Sequence, residues 1–571
     1  MADGKKRVVV VGSGVSGMSA SLSAIDRGAH VTLISHGNPY RSGSASVRDG
    51  VSAAIGSASG DSPAIHAEDT LRCGDFLAGR PAVERMCGKA PEVAWLASRF
   101  GMVFDRAGDG GPRLWRAAGS TFARTMRSGR STGQRLLRVL AGQIMRAGAS
   151  DRLAAFFGME FLSLVVDESG RARGVVAQDL RNMQIRAFPA DAVIICTGGY
   201  PAIFGRHTSS SVNDGSAMVS CWEQGAALAN PEFVEISPFS IAAPGKPRSV
   251  PDSVLSCGGV WVERDGRPWR FLEEMHPAHG GAVPADVALR SLIRACSEAG
   301  VRTYSARLDL TNLDHETISG RMPFIVDICD DLGIDPTCET IETTPAVRNS
   351  LGGLWVRPDH SASIEGLYAA GSACCLYHGA CALGGNRLPA SVHGGLVAGA
   401  SAAEAAGSRD DGAPEAPQSL LAHAVERETD NVARISAKQG GENAWAISTE
   451  LGALLFDKAL LVKDDEELAR AAGRVAELTE RLSRAQLIDR SEWSNAELSL
   501  HRRLERRLAL AGIYIRASIA RQESRGFHRK PSSPERDDRK WAATTRVLRS
   551  KGEPVLDHAE RLSCEPGRRE Y

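Results

Sequence analysis

The stretch "RVVVVGSGVSGMSASLSAIDRGAHVTLIS" sets Gly12, Gly14 and Gly17 at the spacing that a nucleotide pyrophosphate requires. Gly12 permits a tight turn, Gly14 lets the backbone close on a phosphate, and Gly17 lets a helix pack against the strand before it. Ser13, Val15 and Ser16 belong to the same turn, whose backbone donors at a helix N-terminus would face the anion. Ser35 stands where an acidic residue often holds ribose hydroxyls, and its hydroxyl can bond one of them. Two more turns of the same kind follow. "DAVIICTGGYPAIFG" runs a strand into Thr197, Gly198 and Gly199, and "IEGLYAAGSACC" runs a short strand into Gly371. Three such turns point to FAD in an extended conformation, since a single nicotinamide fold would not need the second and third.

The elements that position these turns are legible in the apolar runs. Val8–Val11 and Val31–Ile34 read as buried strands flanking a helix of small residues, a βαβ unit, and Ala192–Cys196 reads as a further strand. With 571 residues, 43% of them hydrophobic, the chain can bury more than one core. Lys and Arg number 68, as do Asp and Glu, so no net field draws the molecule to nucleic acid or an anionic membrane. The twelve cysteines form no CxxC pair, so neither zinc nor an iron–sulfur cluster is expected and no metal site is assigned. They read as reduced thiols, and the vicinal pair Cys374 and Cys375 as buried thiols before a disulfide. No run reaches the length of a membrane span, and Val8–Val11 is too short for a signal peptide. A cytoplasmic protein is expected, touching a membrane only through partner subunits.

Strings along nearly the whole chain carry a family resemblance: "GDSPAIHAEDTLRCGDFLAGRPAVERMCGKAP", "RSTGQRLL", "GVVAQDLRNMQI", "DGRPWRFLEE", "SLGGLWV", "HGACALGGNRL", "RQESRGFHRKPSSPERDD" and the terminal "RREY". In this order they resemble the flavoprotein subunits of succinate dehydrogenase and fumarate reductase, especially the Gram-positive type. The resemblance implies an α/β fold: an FAD-binding Rossmann-like domain over residues 1–235 and 350–407 with an inserted α+β capping domain at 236–349. After the linker "GSRDDGAPEAPQ" a helical domain at 420–542 is expected, with Leu451, Leu454, Leu455, Leu468, Val475, Leu478 and Leu482 at helical spacing. An extended tail, 543–571, would end it. The resemblance also implies an FAD-dependent oxidoreductase acting on a small molecule, and an iron–sulfur or other electron-transfer partner subunit.

The loop "RSGSASVRDGVSAAIG", residues 41–56, would then lie along the flavin ring, with Ser42, Gly43, Ser44 and Gly50 against the cofactor. Gly43 takes the place of the histidine that carries FAD covalently in the family, so the resemblance implies non-covalent FAD. Arg48 and Asp49 replace a Gln and a Gly. At the family's substrate positions stand Ser237, Phe239, Cys257, Ala285, Arg348, Cys381 and Ala382, and Ser372 replaces a ribose-binding glutamate. Asn386 and Leu388 are expected to approach the flavin. Arg48, Arg348, His378 and Arg387 are the candidate catalytic residues, holding an anion of different shape from succinate. An alternative pairs Arg348 with a structural acid such as Glu235, and another alignment makes Arg387 the substrate arginine. The expected function is oxidation or reduction of a substrate other than succinate or fumarate. A true succinate dehydrogenase or fumarate reductase subunit and a catalytically silent flavin scaffold stay open.

Overall fold

A computed structural model describes residues 6–56, 59–250, 254, 255, 257–301, 303–407, 416–561, 567, 569 and 571. The linker residues 408–415 and most of the terminal segment after 561 lie outside them. The apolar runs form the expected strands, and four of these make most of a five-stranded parallel sheet. Its order is Leu367–Ala369, Ala192–Ile195, Arg7–Val11, His30–Ser35 and Leu153–Phe157. All five run the same way, so the turns after Val11, Ile195 and Ala369 open on one sheet edge, where such folds bind ligands. The helix Val15–Asp26 covers the sheet and packs on the helix Arg387–Gly407. Glycines make that approach close: a Cβ at Gly399 would fall 2.2 Å from the Ala20 carbonyl oxygen.

Between the two halves of this unit lies a second five-stranded sheet, antiparallel throughout, of Val234–Ile241, Ile341–Ser350, Ala306–Asp309, Gly259–Arg264 and Arg267–Trp269. The helices Ala285–Glu298, His315–Arg321 and Pro323–Leu332 accompany it, and Leu292, Ile325 and Leu308 are closed to solvent in a core of their own. The chain then enters the helices Gln418–Ser436, Ala444–Leu455, Asp465–Ser483 and Ala496–Ala520. Leu451, Leu455, Leu468, Val475, Leu478 and Leu482 are buried and Leu454 is half-buried, as their spacing requires. Charged groups dock the last helix on the flavin domain: Arg502 lies 2.7 Å from Glu160 and Arg503 3.0 Å from Asp214.

The end of the chain does not trail. Ala543–Ser550 and Glu553–Arg561 form an antiparallel hairpin, and the first of these strands pairs with Leu228–Ala229. Alternation of small or branched residues with polar ones (Ala543, Thr545, Val547 inward) drives this pairing, and those three are buried. The polar stretch before the hairpin is buried too. Arg521 bonds Glu232 at 2.7 Å and Glu523 at 2.7 Å, Arg525 bonds Glu523 at 2.8 Å, and all four side chains are fully enclosed. Composition marks this segment as surface; mutual charge pairing is what lets it be interior.

Candidate flavin site

A cleft with a cavity volume of about 180 Å³ opens at the carboxyl edge of the parallel sheet. Gly12, Ser13, Gly14, Ser16 and Ser35 line it, with Ser42, Gly43 and Ser44, then Thr197, Gly198, Ser372 and Leu388. Gly12 holds φ at +110°, and a Cβ there would meet the Cys196 carbonyl oxygen at 2.3 Å, so glycine is required. Ser13 Oγ donates to Ser35 Oγ at 2.7 Å, which fixes the rim of the adenosine end. Gly14 is the N-cap of Val15–Asp26 and the helix has no side-chain cap and no acid in its first turn. Its first N–H groups are therefore available to a phosphate. Ser42 Oγ is buried without a hydrogen-bond partner on the wall of the same cleft. The residues fit FAD, which when bound would supply two-electron redox chemistry.

Some expected contacts lie elsewhere. Val15 is fully buried in the helix core. Gly17 serves packing, because a Cβ there would fall 1.8 Å from the Gly12 carbonyl oxygen, and Gly199 packs likewise on Ser350 Oγ at 2.0 Å. Gly50 sits behind the cleft against the Met126 carbonyl. Asn386 is turned inward, accepting from His66 Nε2 at 2.8 Å and donating to Thr70 Oγ1 at 2.8 Å, so it is a brace for the helix Pro63–Cys73. Gly371 and His378 line a small adjoining cavity with Ser372 and Arg387. Burial, then the Arg387 charge, pushes the His378 imidazole down to about 4, so it is neutral at ordinary pH, and its Nδ1 has no hydrogen-bond partner. Arg48 is outside the cleft: its guanidinium lies 5.3 Å over the Phe324 ring of the cap.

Arg348 and Arg387 do reach the cleft, but they meet acids there. Arg387 Nη2 is 2.6 Å from Asp49 Oδ2, and Arg348 Nη1 is 3.7 Å from the same atom. Glu235 receives both from the other side, each at 3.6 Å. Burial alone would raise the Asp49 carboxyl; the guanidiniums of Arg348, Arg387 and Arg127 outweigh it and hold the group below its ordinary value. This quartet of two acids and two arginines has no net charge. Cys381 and Ala382 are buried, at 1% and 8% exposure, and Ser237 sits inside the cap sheet opposite Ala346.

Sequence reasoning missed Asn213, which closes the cleft beside Gly43. A Cβ at Gly43 would lie 2.5 Å from Asn213 Nδ2, a group that donates to Ser209 Oγ at 3.0 Å. The turn composition of "SVNDGSA" is the only local signal for it. Glu160 and Arg503 also line the cleft and were not expected there; nothing in their neighbourhoods marks them.

Residues 7–388 match the model of an FAD binding domain, and residues 448–571 that of the fumarate reductase flavoprotein C-terminal domain. The chain belongs to the succinate dehydrogenase/fumarate reductase flavoprotein family. It is therefore a member of a family of FAD-dependent oxidoreductases. It is 37% identical over 544 residues to the succinate dehydrogenase flavoprotein subunit of Bacillus subtilis, covering 94% of this chain and 93% of that one. It is 30% identical over 564 residues to the fumarate reductase flavoprotein subunit of Mycobacterium tuberculosis, covering 95% and 94%. Among solved structures, an Escherichia coli quinol fumarate reductase flavoprotein superposes with a TM-score of 0.92 at 25% identity, covering 99% and 98% of the two chains. Among the described residues no helix is long and apolar enough to cross a membrane, and no cluster of His, Cys, Asp and Glu could hold a metal ion.

Proposed function

We propose that this family member holds FAD non-covalently and oxidises or reduces a substrate other than succinate or fumarate, passing electrons to or from a separate subunit. The observation that carries the substrate reading is the internal pairing of Arg348 and Arg387 with Asp49 and Glu235. A dicarboxylate needs fixed positive donors at both ends, and here Arg348 and Arg387 are already matched by carboxylates. Binding a dianion would separate buried ion pairs or bring four negative charges to two guanidiniums. On the alignment without an insertion, Ala285 and Ala382 take the family's proton-donor and substrate-arginine positions and can neither move a proton nor hold a carboxylate; on the alternative alignment Arg387 takes the second position. For FAD, Gly43 has no nucleophile, and Asn213 fills the space where a longer side chain would begin. An electron-transfer partner is supported by the relatives, which are named as subunits.

Anaerobic titration of the purified flavoprotein tests the substrate reading. Succinate is expected to leave the flavin oxidised, with any turnover in a dye-coupled assay reduced by more than the roughly 10²–10⁴-fold that losing one proton-transfer group costs. Rapid bleaching by succinate would instead establish the second reading, a working succinate dehydrogenase subunit, which the 37% identity to the Bacillus protein favours.

A further inference from the structure

Eleven cysteines lie among the described residues, and all are free thiols. The neighbours in sequence, Cys374 and Cys375, have separate partners. Cys374 Sγ lies 3.4 Å from the Gly371 carbonyl oxygen, and Cys375 Sγ accepts from Asn230 Nδ2 at 3.5 Å. The pair that meets is far apart in sequence: Cys73 Sγ is 3.8 Å from Cys381 Sγ, both side chains buried at 1% exposure. Cys73 ends the helix Pro63–Cys73, and Cys381 precedes the helix Arg387–Gly407. Their backbones are pinned together by the residues beside them. Ala380 N–H donates to the Gly74 carbonyl at 2.8 Å, and a Cβ at Gly379 would fall 2.4 Å from that same oxygen. A disulfide requires sulfurs at about 2.05 Å on Cα atoms about 4.4–6.8 Å apart. With the chains already in hydrogen-bond contact one residue away, closing the gap between the sulfurs asks for side-chain rotation more than backbone movement.

We propose that Cys73 and Cys381 form a reversible disulfide, a two-electron modification site at the seam between the flavin domain and the cap. The oxidant it fits is hydrogen peroxide, which dissolved oxygen becomes when it takes two electrons from a reduced flavoprotein. One thiol attacks the O–O bond, becomes a sulfenic acid and releases water. The second thiol displaces the sulfenic oxygen; the S–S bond forms and a second water leaves, so two thiols and one peroxide give one disulfide and two waters. The seam gives the site a reach beyond its two sulfurs. The charge of Asp286, on the cap helix Ala285–Glu298, acts on the Cys381 thiol, and Arg569 ties the two sides together: it grips that carboxylate at 2.5 and 2.7 Å and donates to the Cys73 carbonyl oxygen at 2.9 Å.

The experiment treats the FAD-loaded protein with hydrogen peroxide, denatures it in an alkylating agent and maps the peptides by mass. The expected product is one cross-linked peptide pair joining Cys73 to Cys381, two hydrogens lighter than the free thiols and reopened by dithiothreitol. Cys381→Ser should abolish it and leave Cys374 and Cys375 alkylated; Cys73→Ala gives the same test from the other side. Circular dichroism and flavin absorbance establish that each variant is folded. Full alkylation of both cysteines after peroxide, sulfinic acid at either of them in place of the cross-link, or a cross-link to a different cysteine would each overturn the proposal.

Discussion

Beside the flavin cleft one carboxylate sits between two guanidiniums. Asp49 has 12% of its side chain exposed and stands beside Arg387 and Arg348, so Asp49→Asn leaves two buried cations short of a counter-charge. Removing one member of such a pair costs about 3–5 kcal/mol, read as a lowered midpoint in thermal unfolding. The pH dependence has a definite sign. Because the folded-state value of Asp49 lies below its ordinary 3.8, its contribution is complete above that value and is lost as pH falls through the lower folded one. The wild type should therefore lose melting temperature more steeply on acidification than Asp49→Asn. Acid precipitation should release all the flavin to the supernatant, since Gly43 offers no attachment; yellow colour in the pellet would point to another tether. The glycine turns were legible because their chemistry is local. Of the acid partners, Glu235 was offered by the sequence for Arg348 and is found 3.6 Å from it, whereas Asp49 was not: it lies 338 residues from Arg387, and only the fold brings them together.

Strands and helices owe their legibility to short-range pattern, and the flavin turns follow from them. At Gly17 the pattern can be tested directly. Gly17→Ala places a methyl 1.8 Å from the Gly12 carbonyl, which must move the turn, and the purified variant should contain less than a tenth of the wild-type flavin by absorbance. The segment 521–538 is too polar to build a core, yet Arg521, Glu523, Arg525, His528 and Lys530 are closed to solvent, with Glu232, Glu523 and Asp538 answering Arg521 and Arg525. Its counter-charges come partly from another domain, a relation no local window contains. The same holds for the terminal Arg569, clasped by Asp286 of the cap. Arg569→Ala should loosen the cap against the flavin domain, seen as faster limited proteolysis of the cap and a loss of about 3–5 kcal/mol in stability.

At the scale of the molecule, the relatives are subunits, and this chain has no cluster ligands of its own among the described residues. Purification from native extract should bring down a cysteine-rich second chain with iron; a yellow protein alone, reoxidised by oxygen, would remove the partner from the proposal. The segment 521–538 gives no support either way, since its partners lie within the chain. The hairpin that ends the fold bears on something else, the order of events at the ribosome. The strand Leu228–Ala229 is flanked on one side by Gly353–Trp355 and on the other by Ala543–Ser550. At roughly 5–20 residues per second, about a quarter of a minute to over a minute separates the exit of Leu228–Ala229 from that of Ala543–Ser550. Through that interval the edge of Leu228–Ala229 that Ala543–Ser550 will cover stands open, the kind of unpaired strand edge that invites pairing with another chain.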